Sequence, residues 1–128
     1  VGRIFKTAEF TSWANDEGLE DTALILAVTE MDNGLIDAKL GGCVVKKRVP
    51  RLNQGKSSGF RTLIAFRSED KAFYMFGFAK NERDNITKTE KAVLLELAKL
   101  LLSYNNTQLA KAIKDKELYE VIRNEPLT

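Results

Sequence analysis

The sequence predicts an α+β fold: a small antiparallel sheet of about four strands, with N-terminal helices packed on it and a C-terminal helical segment. Three observations lead there. Apolar residues recur at helical spacing near both ends of the chain, as Phe10/Trp13/Ala14 and as Val93/Leu94/Leu97/Leu100/Leu101. The middle run from Phe60 to Arg67 alternates with the period of a strand. Ser68-Glu69-Asp70 makes a tight turn ahead of an aromatic-rich run, a link short enough for an antiparallel hairpin. With 128 residues, 44% of them apolar and 30% charged, one soluble globular domain over 1–128 is expected.

In chain order, Arg3 to Lys6 is a short strand. Thr7 caps a helix from Ala8 to about Asp16, which Gly18 ends by taking the left-handed conformation. A second helix spans about Asp21 to Met31, with Leu24, Val28, Met31 and Leu35 at helical spacing and the acids on its outer, solvated face. Asn33-Gly34 and Gly41-Gly42 are breakers. The first central strand runs from Cys43 to Val49 and Pro50 stops it. After a polar loop from Arg51 to Ser58 come the strand Phe60 to Arg67 and its hairpin partner Ala72 to Lys80. Thr87 and Glu90 make a capping box for a helix reaching about Ser103. Thr107 caps a short helix through about Lys114, and Tyr119 to Ile122 is a final edge strand.

Composition excludes several chemistries. Histidine is absent and Cys43 is the lone cysteine, so His-based zinc sites, thiolate zinc clusters, Ser-His-Asp triads and internal disulfides are all ruled out. A reducing, cytoplasmic location is expected. No apolar run reaches membrane-spanning length, and no signal peptide is apparent. Catalysis would have to run on Lys, Arg, carboxylates, Tyr or amides.

The net charge of +2 conceals a strong asymmetry. Glu9, Asp16, Glu17, Glu20, Asp21, Glu30, Asp32 and Asp37 occupy a stretch with no base. Lys46, Lys47, Arg48, Arg51, Lys56, Arg61 and Arg67 follow with no acid among them. Lys46 and Arg48 share one strand face and Lys47 takes the other. Arg61, on the neighbouring strand about 5 Å away, can converge with Lys46 and Arg48. A converging set of cations suits RNA or another phosphate; basic residues snorkelling on a solvated sheet face are the competing reading. The loop Gly55-Lys56-Ser57-Ser58-Gly59 lacks the spacing and the following helix of a nucleotide-binding loop, which leaves Lys56 as one further phosphate contact. Phe73, Tyr74, Phe76 and Phe78 read as core under helices ahead of a base-stacking platform. Lys80-Asn81-Glu82-Arg83-Asp84-Asn85 reads either as a local ion-pair and capping network or as a functional loop at a strand end.

Taken together, Lys46-Lys47-Arg48, Ser57-Ser58-Gly59-Phe60-Arg61 and Phe78-Ala79-Lys80-Asn81-Glu82-Arg83, in this order and within this succession of elements, resemble the RelE/ParE superfamily of toxins from bacterial type II toxin–antitoxin pairs. The likeness is to its RelE-type, HigB-like branch and covers roughly Arg3 to Ser103, making 104–128 a C-terminal extension. The resemblance implies a ribosome-dependent, metal-independent mRNA endoribonuclease with no cofactor. In that mechanism the ribose 2′-hydroxyl attacks the adjacent phosphate. It implies catalytic roles for Lys46, Arg48 and Arg61, and RNA contacts from Lys47, Arg51, Lys56, Lys80 and Arg83. The implied partners are the ribosome with its mRNA and a cognate antitoxin, typically a helix-turn-helix DNA-binding protein. Asn81 stands where RelE has a catalytic arginine, and Thr87 where it has a tyrosine, so one cation and the acid of that scheme are missing. A ParE-like gyrase inhibitor and a non-catalytic RNA- or partner-binding member of the fold are the alternatives.

Overall fold

The structure is a computed structural model that describes residues 1–51 and 59–123. Its elements are β1 (Arg3–Thr7), α1 (Ala8–Glu17), α2 (Asp21–Asp32), β2 (Ala38–Gly41), β3 (Val44–Val49), β4 (Phe60–Arg67), β5 (Lys71–Ala79), α3 (Lys88–Ser103), α4 (Asn106–Lys114) and β6 (Leu118–Val121). The strands form a six-stranded sheet in the order β2-β3-β4-β5-β1-β6, antiparallel except for the parallel β1–β5 pair. Two strands lengthen the sheet beyond the expected four. β6 is the expected edge strand, whereas β2 lies where sequence reasoning saw only breakers. Gly41 and Gly42, both at positive φ, turn the chain from β2 into β3 rather than ending order there. Cys43, also at positive φ and exposed, belongs to that turn, and β3 starts one residue later than expected.

Side-chain alternation along the central strands builds a core on each face. Val45, Val49, Phe60, Ile64 and Tyr74 pack under α1 and α2, with Phe10, Ala14, Leu24 and Val28. Val44, Leu63, Ala65, Phe73 and Phe78 pack under α3 and α4, with Leu94, Ala98, Leu101 and Leu109. Local signals fix the helix ends. The Thr7 hydroxyl accepts from Phe10 N–H, Gly18 is left-handed, and Thr87/Glu90 form the expected capping box. The last helix is capped by Asn105 in a box with Gln108, not by Thr107.

Two helical stripes need correction. α2 ends before Leu35, which is 59% exposed. On α3 the buried line is Leu94/Ala98/Leu101, whereas Val93 and Leu100 face outward. Apolar residues ring much of α3, and Ala98 marks the side where helix and sheet approach closely.

The aromatic run of β5 is divided between the two faces. The β4–β5 register shifts between Leu63 and Ile64, so that Leu63 pairs Phe76 while Ile64 pairs Tyr74 and Met75 is the extra residue. The Met75 carbonyl accepts from the Thr7 hydroxyl at 3.3 Å. Phe73, Phe76 and Phe78 face α3, whereas Tyr74 is fully buried under α2 and donates its hydroxyl to Leu24 C=O at 2.7 Å. Burial, with the nearby Glu30 charge, pushes the Tyr74 phenol far above its ordinary pKa. The stripe is therefore core, not a stacking platform. Gly77 lies directly under Trp13, where a Cβ would come within 2.2 Å of the indole.

Candidate nucleic-acid interface

Strand pairing decides which cations meet. On β3, Lys46 and Arg48 share the α3 face with Val44, and Lys47 shares the opposite face with Val45 and Val49. Arg48 and Arg61 are direct partners across β3–β4, and Lys46 pairs with Leu63 one step along the same face. The geometry thus brings Lys46, Arg48 and Arg61 together. Arg61 is there because Gly59 lets the start of β4 cross the end of β3 closely. A Cβ on Gly59 would come within 2.7 Å of Val49 C=O and 3.1 Å of Pro50 Cα. Phe60 then anchors under Trp13 on one face, and Arg61 emerges on the other.

Electrostatics separates these cations from the rest of the basic stretch. The acidic first third is not simply a solvated surface, because much of it reaches back to neutralise the basic middle. Lys47 is 7% exposed; its Nζ donates to Leu35 C=O at 2.9 Å and pairs with Glu30 at 3.2 Å. Arg51 pairs with Glu17 at 3.4 Å and lies 4.7 Å over the Phe60 ring. Lys6 pairs with Asp21, and Arg67 with Asp70. Lys47 and Arg51 therefore belong to the α1/α2 side and do not join the group on the other face. Each is held there by a carboxylate and by its packing.

Lys46 meets a neutral partner, the Asn85 Oδ1, at 3.0 Å, so its charge is not cancelled. Arg48 donates its Nε to Asp37 Oδ1 at 3.1 Å, and its backbone N–H to Asp37 Oδ2 at 2.6 Å. Arg61 is only 9% exposed and forms no ion pair among the described residues; its one hydrogen bond there is a 3.4 Å contact to Phe60 C=O. Burial lowers the Arg61 pKa, the neighbouring Arg48 charge lowers it further, and Asp37 partly offsets both. Partial burial pushes Asp37 upward, but the Arg48 backbone and side-chain hydrogen bonds prevail and hold its carboxyl below the usual range.

The loop after β5 closes this end of the face. Lys80 pairs with the exposed Asp84 at 3.2 Å. The Arg83 guanidinium lies over Phe76 and Phe78 and donates to Asn85 C=O and to both Glu90 oxygens. Arg83 is thus locked in an ion-pair and capping network. Hydrogen bonds from Arg83 and from Thr87 N–H lower the Glu90 pKa to about 2. Lys56 lies outside the described residues. Sequence reasoning missed Asp37 and Asn85, the groups that hold Arg48 and Lys46. A β2–β3 hairpin read from Ala38 to Val49 would have brought Asp37 beside Arg48.

A helix-flanked, mostly antiparallel six-stranded sheet of this topology is a RelE-like fold. Residues 2–121 match the family described as RelE toxin of RelE / RelB toxin-antitoxin system, and the chain belongs to that family. The match includes α4 and β6. Among curated proteins, none matches the chain. Family membership implies a RelB-type antitoxin as partner. No helix among the described residues is long and apolar enough to cross a membrane.

Proposed function

We propose that this toxin is a ribosome-dependent mRNA endoribonuclease acting through Lys46, Arg48 and Arg61. The observation that carries the reading is Arg61. It is an almost buried arginine directly across from Arg48, with no carboxylate of its own among the described residues. Holding two cations together costs free energy unless an anion joins them. A phosphate fits that need, and arginine forks match its oxygens. When the 2′-hydroxyl attacks the adjacent phosphate, negative charge grows on the non-bridging oxygens as the new P–O2′ bond forms and the P–O5′ bond breaks. Pre-placed cations stabilise that charge more than the ground state. The products are a 2′,3′-cyclic phosphate and a free 5′-hydroxyl. Asp37 is a poor base for the 2′-hydroxyl because both its oxygens are already engaged by Arg48. Electrostatic stabilisation therefore carries more of the rate than proton transfer does. Lys80 lines the neighbouring loop as a further RNA contact, whereas Arg83, engaged at Nε and at both terminal nitrogens, holds that loop in place. The partner antitoxin of this reading is a helix-turn-helix protein that covers the basic face.

Expression of the wild-type chain is expected to arrest growth and to leave cut messages on ribosomes, and Arg61→Ala to relieve both. Arrest that persists in Arg61→Ala with intact messages contradicts the proposal. A second reading, a non-catalytic member that binds RNA, is favoured by Asn81 and by Thr87, whose hydroxyl is committed to the helix cap. RNA binding with a steep salt dependence but no new 5′ ends would select it.

A further inference from the structure

Asp37 lies in the loop ahead of β2, and its carboxylate grips Arg48 twice, at the backbone N–H and at Nε. The grip is one-sided. It occupies the Nε edge of the guanidinium and leaves the two terminal nitrogens with no hydrogen bond among the described residues. Arg83 provides the contrast, with Nε and both terminal nitrogens engaged by Asn85 C=O and Glu90. An arginine held by its Nε edge alone keeps a terminal fork for an incoming anion, whereas one held on all sides does not. The charge of the same carboxylate also acts on Arg61, and so partly offsets the repulsion across the Arg48–Arg61 pair.

We propose that Asp37 is a positioning residue: by clamping the Nε edge of Arg48 it holds that guanidinium beside Arg61 with its terminal nitrogens presented to a phosphate. This rests on the reading of Arg48 and Arg61 as a phosphate site. Asp37 acts only through Arg48 and does not itself touch RNA.

Two measurements on the full chain test this. In the first, single-turnover cleavage of mRNA on programmed ribosomes is compared for wild type, Asp37→Asn, Asp37→Ala, Arg48→Ala and the double variant Asp37→Ala/Arg48→Ala. Asp37→Ala is expected to slow cleavage about tenfold, and Asp37→Asn, which keeps an acceptor for one of the two donors, by less. The double variant should be no slower than Arg48→Ala alone, because a group acting through Arg48 has nothing to act on once Arg48 is gone. A further tenfold loss in the Arg48→Ala background overturns the proposal. In the second, the Arg48 Nε–H signal of the 15N-labelled protein is followed while inorganic phosphate is added. A resolved signal that moves with phosphate in wild type, and merges with those of exposed arginines in Asp37→Ala, supports the clamp. An Arg48 signal and phosphate response unchanged in Asp37→Ala overturn it. Should wild type cut no message while the second result holds, the nuclease reading fails and the clamp stands.

Discussion

Two regions of the sheet, the α1/α2 face and the β3/β4 end of the α3 face, surround their cations differently. Under α1 and α2, three cations each find a carboxylate: Lys47 has Glu30, Arg51 has Glu17, Lys6 has Asp21. Under α3, helix and strands cover the middle of the face but not the β3/β4 end, and there Lys46 meets only an amide and Arg61 no carboxylate among the described residues. Lys46 and Lys47 are adjacent in sequence, yet strand alternation sets Lys47 against a carboxylate at the core margin and Lys46 against only an amide. Basic residues in a strand thus carry no functional meaning until the face, and the carboxylates on it, are known.

The comparison can be broken or sharpened by substitution. The largest effect is expected at Arg61: Arg61→Ala should lower single-turnover cleavage on programmed ribosomes about 10²–10³-fold. On the closed face the effects move to stability. Gly77→Ala drives a methyl into Trp13 and should cost about 1–3 kcal/mol in urea unfolding. Lys47→Ala removes the bond to Leu35 C=O and leaves Glu30 unpaired; because Glu30 is partly exposed, about 1–2 kcal/mol is expected, with the cleavage rate of the folded protein kept. Tyr74→Phe loses the bond to Leu24 C=O and should cost about 1 kcal/mol by the same measurement.

The smallest effect concerns pH. The folded Glu90 pKa, about 2, lies below the ordinary value of 4.5. Its stabilising contribution is therefore fully present above pH about 4.5 and is lost as pH falls towards about 2. Chemical denaturation across that window should show a shallower acid-side decline for Glu90→Gln than for wild type.

Most of the fold was legible because its signals are local. The Thr7 and Thr87 caps, the Gly18 stop and the β4 alternation each fall within a few residues, and the structure keeps them. What was hidden depends on partners distant in sequence. The β2–β3 hairpin has a four-residue first strand and a glycine turn that reads as a break. The extra residue at Met75, which sends Tyr74 to one face and Phe76 to the other, is visible only once β4 supplies the register. The candidate site was half legible. Alternation sufficed to place Lys46 and Arg48 together and to separate Lys47. Nothing local showed that Arg51 would be spent on Glu17 and Phe60, that Arg83 would be locked by Glu90, or that Asp37 would leave the acidic third to hold Arg48.

The central claim of the proposal is that Lys46, with Arg48 and Arg61 at the β3/β4 end of the α3 face, meets RNA while Lys47 and Arg51 on the α1/α2 face are structural, and the neighbouring pair Lys46 and Lys47 tests it most directly. The measurement is the salt dependence of binding to a short single-stranded RNA for wild type, Lys46→Ala and Lys47→Ala. Loss of one phosphate contact reduces the slope of log affinity against log salt by about 0.7. The account predicts that reduction for Lys46→Ala and an unchanged slope for Lys47→Ala. Equal reductions in both variants, or a reduction in Lys47→Ala alone, would contradict it.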